Sequence, residues 1–229
     1  MQVANYIHQY APEHHRVLCD VGSDHAYLPT FLLLKEQIDF AIAGEVVEGP
    51  YKAAQKMNVV YSLGDRLSVR FGDGLSVIQP KDEVNIISIC GMGGSLIRDI
   101  LNKGQDNIAP NTLLILQPNM ASNHVRQWIN DHRSSIIDEI VLKDHHHYYE
   151  IIVAIYQQEG RPLNEQEILF GPINLYERNE AFIAYWMNER NKLNHIQQQM
   201  AQATQIDTIK QQWIEQKLKY IQEVLSNDC

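Results

Sequence analysis

The sequence predicts an α/β domain built on a mainly parallel sheet, followed by a helical hairpin. Between Arg16 and about Tyr156, short β-rich runs alternate with stretches of helical period, as parallel strands and their crossover helices do. Several of these runs are apolar almost throughout, which is how strands read when helices cover both faces of a sheet. After Gln157 the pattern changes to a polar linker and then to two long amphipathic stretches.

Taken in order, the predicted parallel strands are RVLCDV (16–21), FAIAGEV (40–46), LSVRFG (67–72), VNIISIC (84–90) and TLLILQP (112–118). Helical stretches separate them: YLPTFLLLKEQ, GPYKAAQKMNVVYSLG, GGSLIRDILNKG and a segment around 122–132. IIDEIVLKD and YYEIIVAIY then flank a short polar turn and predict a terminal antiparallel hairpin, which brings the count to seven. The stretch QQEGRPLNEQ reads as a linker, so the predicted domains are 1–157 and 158–229. In the second, Trp186, Leu193, Ile196, Met200 and Ala203 recur at helical spacing, and Ile209, Trp213, Ile214, Ile221, Val224 and Leu225 form another stripe. Two helices joined near Gln205 to Asp207 would bury these stripes against each other as a coiled-coil hairpin.

The bulk properties fit such a chain. At 229 residues, with 45% hydrophobic and 21% charged, it has globular composition. No run approaches the roughly 18 apolar residues of a membrane span, and the start has no secretion-signal pattern, so a cytoplasmic protein is expected. Cys19, Cys90 and Cys229 are too few for a disulfide scaffold and should be free thiols. The net charge of −9 argues against indiscriminate nucleic-acid binding, though −7 of it falls before Gly160, leaving the C-terminal part nearly balanced.

In an open α/β sheet, ligands bind beyond the carboxyl ends of the strands, so the strand-to-helix turns carry the chemistry. After the first strand come Asp20, Gly22, Ser23, Asp24, His25 and Tyr27. Gly22 permits a tight turn, but the later glycines of a dinucleotide loop are replaced, and Asp24 would repel a pyrophosphate. Carboxylates suit a ligand that carries an ammonium and a sulfonium, which favours S-adenosylmethionine. Glu45 ends the second strand, where it can accept bonds from both ribose hydroxyls. Asp73, between glycines in Gly72-Asp73-Gly74-Leu75, can grip an adenine edge, although a plain turn reads the same way. The most specific feature is Cys90-Gly91-Met92-Gly93-Gly94, whose glycines leave room for a bulky group against the main chain. Cys90 itself reads as a small buried residue rather than a nucleophile. Gln117, Pro118 and Asn119 close the fifth strand with amides suited to a planar acceptor. The run Asp144 to Glu150 has metal-like composition, but adjacent strand residues face opposite ways, so no metal site is expected there. Tyr149 and Glu150 are placed toward the cleft.

Together DVGSDHAYLP, Glu45, GDGL, CGMGG and QPN resemble the bacterial tRNA (adenine-22-N1)-methyltransferase family, TrmK, over nearly the whole chain. The resemblance implies a class I methyltransferase domain, a Rossmann-like seven-stranded sheet whose last strand is antiparallel, with a C-terminal coiled-coil domain. It also implies S-adenosylmethionine as donor and N1 of adenine 22 of tRNA as acceptor. On this likeness the methionine moiety lies near Gly22, Ser23, Asp24 and Cys90 to Met92, the ribose on Glu45, and the adenine beside Asp73 and Gly74. No N-P-P-Y type motif follows the fourth strand, which leaves the acceptor's contacts open. The candidates are Gln117, Asn119, His25, Tyr27 and Tyr149, with Asp24 and Asn119 as catalytic residues and Asp24 stabilising the cationic product. Arg178, Arg190, Lys192, Lys210, Lys217 and Lys219 are available for phosphates. A monomer is the default. A methyltransferase for another RNA, a protein or a small molecule is one alternative reading, and a non-catalytic RNA-binding protein is another.

Overall fold

The computed structural model describes residues 2–201 and 207–226. Helix α1 (Gln2–Tyr10) precedes β1 (Val17–Val21), α2 (Tyr27–Leu34), β2 (Phe40–Glu45), α3 (Glu48–Val60) and β3 (Leu67–Phe71). Then come β4 (Ile86–Gly93), α4 (Gly94–Lys103), β5 (Leu113–Met120), α5 (Ser122–Asp131), β6 (Ser135–Asp144) and β7 (His147–Ile155). The chain continues through α6 (Glu165–Phe170), α7 (Pro172–Glu177), α8 (Glu180–Ala201) and α9 (Thr208–Ser226). The seven strands lie in the order β3-β2-β1-β4-β5-β7-β6, parallel except for β7, which runs antiparallel to both neighbours.

Strand β1 shows why the apolar runs fold this way. All five of its residues are buried. Val17, Cys19 and Val21 enter one core with Ile97, Leu101 and Trp128 of α4 and α5, while Leu18 enters the other with Ile7, Leu32 and Ala54 of α1, α2 and α3. A strand sandwiched between helix layers must be apolar on both sides. Because β1 pairs β2 on one side and β4 on the other, strand order reverses between β1 and β4. Their carboxyl ends therefore open a crevice at the switch point.

Helix α1 is an addition to the sequence reading. Val3, Tyr6, Ile7 and Tyr10 share one face, and Tyr6 and Tyr10 donate to Asp138 of β6 at 3.3 and 2.6 Å. Helices α6 and α7 are a second addition, beginning inside the stretch read as linker. Asn164 and Glu167 bond each other's backbone amides and start α6 as a capping box.

A third core joins Val141 of β6 to Phe170, Phe182, Trp186, Leu193, Ile214, Ile221 and Val224 of the C-terminal helices. Helices α8 and α9 pack on each other through this core, and α8 rests on β6. The predicted stripe is correct for Trp186, Leu193, Ile214, Ile221 and Val224 but not for Ile209 and Trp213, which are exposed. Ala203, Cys229 and residues 205–206 of the joint predicted near Gln205 to Asp207 lie outside the described residues.

One buried charge cluster ties this appendage to the sheet. Arg126 of α5 is fully buried and donates to Glu139 of β6 at 2.9 Å and to Glu150 of β7 at 2.6 Å. The other oxygen of Glu139 accepts the N–H of Ile173 at 2.8 Å, in the first turn of α7. Gly171 makes that approach possible: its φ is +94°, and a Cβ there would lie 2.3 Å from both carboxylate oxygens. Only glycine tolerates both the conformation and the contact.

Candidate active site

Each predicted turn sits on the rim of the switch-point crevice, and hydrogen bonds link one to the next. The amide of Gly22 donates to the carbonyl of Gly44 at 2.9 Å, joining the turn after β1 to the end of β2. The amide of Gly72 donates to the carbonyl of Glu45 at 2.9 Å, joining β2 to the turn that carries Asp73. Across the crevice, the terminal methyl of Met92 lies over Gly22, 2.4 Å from where a Cβ would stand. Glycine at 22, with φ of +66°, thus admits a side chain from the carboxyl end of β4. Gly22, Glu45, Asp73 and Gly91 form one continuous rim.

The acids divide by role. Asp20 is buried and accepts hydroxyl bonds from Ser23 and Ser88, both at 2.5 Å. Burial raises its pKa against the pull of those two bonds. With both oxygens engaged, Asp20 braces the turn after β1. Glu45 differs: it is 5% exposed, its Oε1 is buried without a partner among the described residues, and burial raises its pKa although the backbone amide of Asp24 holds it. A buried carboxylate oxygen lacking a donor is costly unless a ligand supplies one. Two vicinal hydroxyls on a ribose would do so. Asp24 is exposed, and His25 lies 3.5 Å from it with its ring stacked on Tyr27. Asp24, His25 and Ala26 all have positive φ, a left-handed turn that sets the start of α2.

Asp73 is exposed and accepts from Lys103 of α4 at 2.5 Å, a partner sequence reading missed. Leu75, placed at the cofactor, is buried in the core against Gly104. The thiol of Cys90 is pushed up in pKa, first by burial and then by Asp20, which disfavours the thiolate that a nucleophile needs.

Gly91 lies near the carboxyl end of β4. The β4–β5 register slips between Cys90 and Met92, so Gly91 bulges out of the ladder at φ +76°. Its orphaned backbone groups are taken by the side chains of β5. Gly91 N–H donates to Gln117 Oε1 at 2.9 Å, Asn119 Nδ2 donates to Gly91 C=O at 2.7 Å, and Gln117 Nε2 donates to Asn119 Oδ1 at 2.9 Å. These three bonds close a ring. A Cβ on Gly91 would meet nothing within 4 Å, so the bulge faces open space.

Pro118 is buried between the two amides. Tyr149 shares a face of β7 with Ile151, which belongs to the core on the α1 side, whereas Tyr148 and Glu150 line the cleft beside Asn119. The predicted direction therefore holds for Glu150 and not for Tyr149. Among the candidate phosphate contacts, Arg178 donates to the carbonyl of Val224, and Arg190 and Lys219 line a shallow groove between α8 and α9. Lys192 and Lys217 face the cleft. Among the described residues no cluster of His, Cys, Asp and Glu can hold a metal, and no helix is long and apolar enough to cross a membrane.

A seven-stranded sheet with one antiparallel strand, and glycine-and-acid turns converging over its switch point, defines a class I S-adenosylmethionine-dependent methyltransferase. The orphaned oxygen of Glu45 and the open space at Gly91 fit that cofactor. The chain belongs to the TrmK family, described as tRNA (adenine(22)-N(1))-methyltransferase, whose model matches residues 18–223. It is 36% identical over 231 residues to the tRNA (adenine(22)-N(1))-methyltransferase of Bacillus subtilis, covering 98% of this chain and 94% of that protein. The crystal structure of the B. subtilis m1A22 tRNA methyltransferase TrmK superposes with a TM-score of 0.89 at 33% identity, covering 98% and 97% of the two chains. A Streptococcus pneumoniae protein in complex with S-adenosyl-L-methionine superposes with a TM-score of 0.84 at 35% identity, covering 98% and 99%.

Proposed function

We propose that this chain methylates N1 of adenine 22 in tRNA, taking the methyl group from S-adenosylmethionine. The observation that carries the reading is Glu45, a buried acid with an unpartnered oxygen on the same rim as Gly22, Asp73 and Gly91. Glu45 would hold the ribose, Asp73 and Gly74 the adenine, and Gly22 to His25 with Cys90 to Gly93 the methionine moiety. The bound cofactor supplies an electrophilic methyl carried on a sulfonium.

The chain's own task is placement. Neutral adenine keeps an in-plane lone pair on N1, so the attack requires alignment and no obligatory general base. Alignment alone can be worth about 7–11 kcal/mol. The acceptor base must leave its stack to enter the crevice, where Gln117 and Asn119 would meet it. The methylated base is cationic, and the exposed carboxylate of Asp24 stands on the same rim to offset that charge. The division into domains near residue 157 separates the crevice from the helices that would steady folded RNA. A cytoplasmic monomer suits that substrate.

The test is methyl transfer to an unmodified tRNA transcript, followed by primer extension. Methylation at N1 blocks the pairing edge, so the expected stop falls at adenine 22 and disappears when that base is guanine. Incorporation into protein instead of tRNA, or a stop elsewhere, overturns the proposal.

A further inference from the structure

A cleft of about 730 Å³ lies beside the site, between Asn119 to Asn123, the tip of the β6–β7 hairpin, α8 and Lys217 of α9. It begins at Asn119, the residue that clamps Gly91, so one side chain belongs to both the cleft and the glycine turn. Tyr148, Tyr185 and Trp186 give it an aromatic wall, with the rings of Tyr148 and Tyr185 centred 5.7 Å apart.

Two ammonium groups, Lys192 and Lys217, share the wall with two carboxylates, Glu189 and Glu150, and Glu150 is already engaged by Arg126 and Ser122. Lys192 bonds Glu189 at 2.9 Å. Lys217 Nζ stands 3.9 Å from the second oxygen, beyond hydrogen-bond distance. Its side chain is only 16% exposed, and the ammonium lies over the rings of Trp186 and Trp213, 5.6 and 5.1 Å from their centroids. Burial lowers its pKa despite the nearby acids. The indole N–H of Trp186 is likewise buried without a partner. Among the described residues, this largely desolvated ammonium has an acid nearby but no acceptor within hydrogen-bond distance, and a phosphate oxygen could supply one.

The geometry points to a subsite for one nucleotide of the RNA that neighbours the methylated base, with its phosphate on Lys217 and its base against Tyr148 and Tyr185. This rests on the reading of the chain as a tRNA methyltransferase. A cation beside aromatic rings is how unpaired nucleotides are held without sequence readout. A strand opened to release its target base supplies such a nucleotide next to it.

The experiment compares wild type, Lys217→Gln and Lys217→Arg, with Lys56→Gln on the distant helix α3 as control, for binding to unmodified tRNA transcript across a potassium chloride series. Lys217→Gln is expected to flatten the slope of log affinity against log salt by about 0.7–0.9, one phosphate contact. It should also raise KM for tRNA about tenfold, the loss of one charged hydrogen bond. Lys217→Arg restores the slope, and donor affinity and melting temperature stay at wild-type values in both. Tyr148→Leu provides a second arm, expected to raise KM for tRNA with the slope unchanged. A Lys217→Gln slope equal to wild type overturns the subsite. So does a wild-type KM in Tyr148→Leu if Lys217→Gln fails to fold. Wild-type protein that leaves tRNA unmethylated overturns the functional reading instead, so the two failures are distinguishable.

Discussion

Arg126→Met removes the charge at the centre of the buried cluster while keeping a side chain of similar reach. Two carboxylates would remain out of solvent, with Glu139 still holding the amides of Ile173 and Asn174 and Glu150 still holding Ser122. Deleting one partner of a buried ion pair costs about 3–5 kcal/mol, because the uncompensated charge stays behind. For a chain of this size that lowers Tm by about 6–20 °C. The loss should depend on pH. Burial already raises the pKa of Glu139 against the pull of Arg126, and without the guanidinium that rise grows. A carboxyl with its pKa raised in the folded state holds a proton more tightly when folded. Its stabilising contribution is full below the unfolded value and is lost as pH rises through the folded one. Urea unfolding of both proteins should therefore show a larger deficit at about pH 8 than at about pH 5.5. A deficit below about 1 kcal/mol, or one equal at the two pH values, would refute the view that this guanidinium is what makes the two acids tolerable there.

Four further outcomes are expected. Glu45→Gln should weaken donor binding about 10- to 100-fold by calorimetry, since charged hydrogen bonds are worth about 1.5–3 kcal/mol; unchanged affinity removes the ribose from Glu45. Asn119→Ala should cut turnover about tenfold or more while changing donor affinity far less, as steady-state kinetics beside a donor titration will read. Gly171→Ala should lower stability by at least about 2 kcal/mol in thermal unfolding, because its methyl group would occupy the carboxylate of Glu139. Cys90→Ser should retain turnover within about threefold, and a larger loss would restore the thiol to the chemistry.

What the sequence made legible follows from which interactions are local. Buried parallel strands are apolar along their length, so β1, β2, β4 and β5 stand out in the primary structure, whereas the edge strand β3 carries Ser68 and Arg70; the hairpin follows from its polar turn. Helix α1 is equally local, since Val3, Tyr6, Ile7 and Tyr10 keep helical spacing. Asn164 and Glu167 carried the capping-box signature of α6 inside a stretch whose Gly and Pro suggested a linker. Arg126 interrupts the apolar stripe of α5 formed by Val125, Trp128 and Ile129. A charge on a buried face calls for partners, yet naming Glu139 and Glu150 requires the pairing of β6 with β7, which is tertiary. Lys103 at Asp73 and Met92 over Gly22 were hidden for the same reason.

The amides of β5 carry a structural role that the sequence does not show. As polar strand ends, Gln117 and Asn119 suit a planar acceptor, and the structure also engages both in closing the Gly91 bulge. The two roles do not compete. Each amide has two N–H donors, and the ring uses one of them, from Asn119 to Gly91 and from Gln117 to Asn119. One donor on each side chain remains, and the ring has already fixed its rotamer, so little ordering entropy is left to lose when a base arrives. N1 of adenine must keep its lone pair for the methyl group, while N3 and N7 are acceptors that can take such donors without touching N1. On the proposed assignment of sites, the bulge couples the two halves of the reaction, because the same three bonds hold the turn proposed for the cofactor and the side chains proposed for the base.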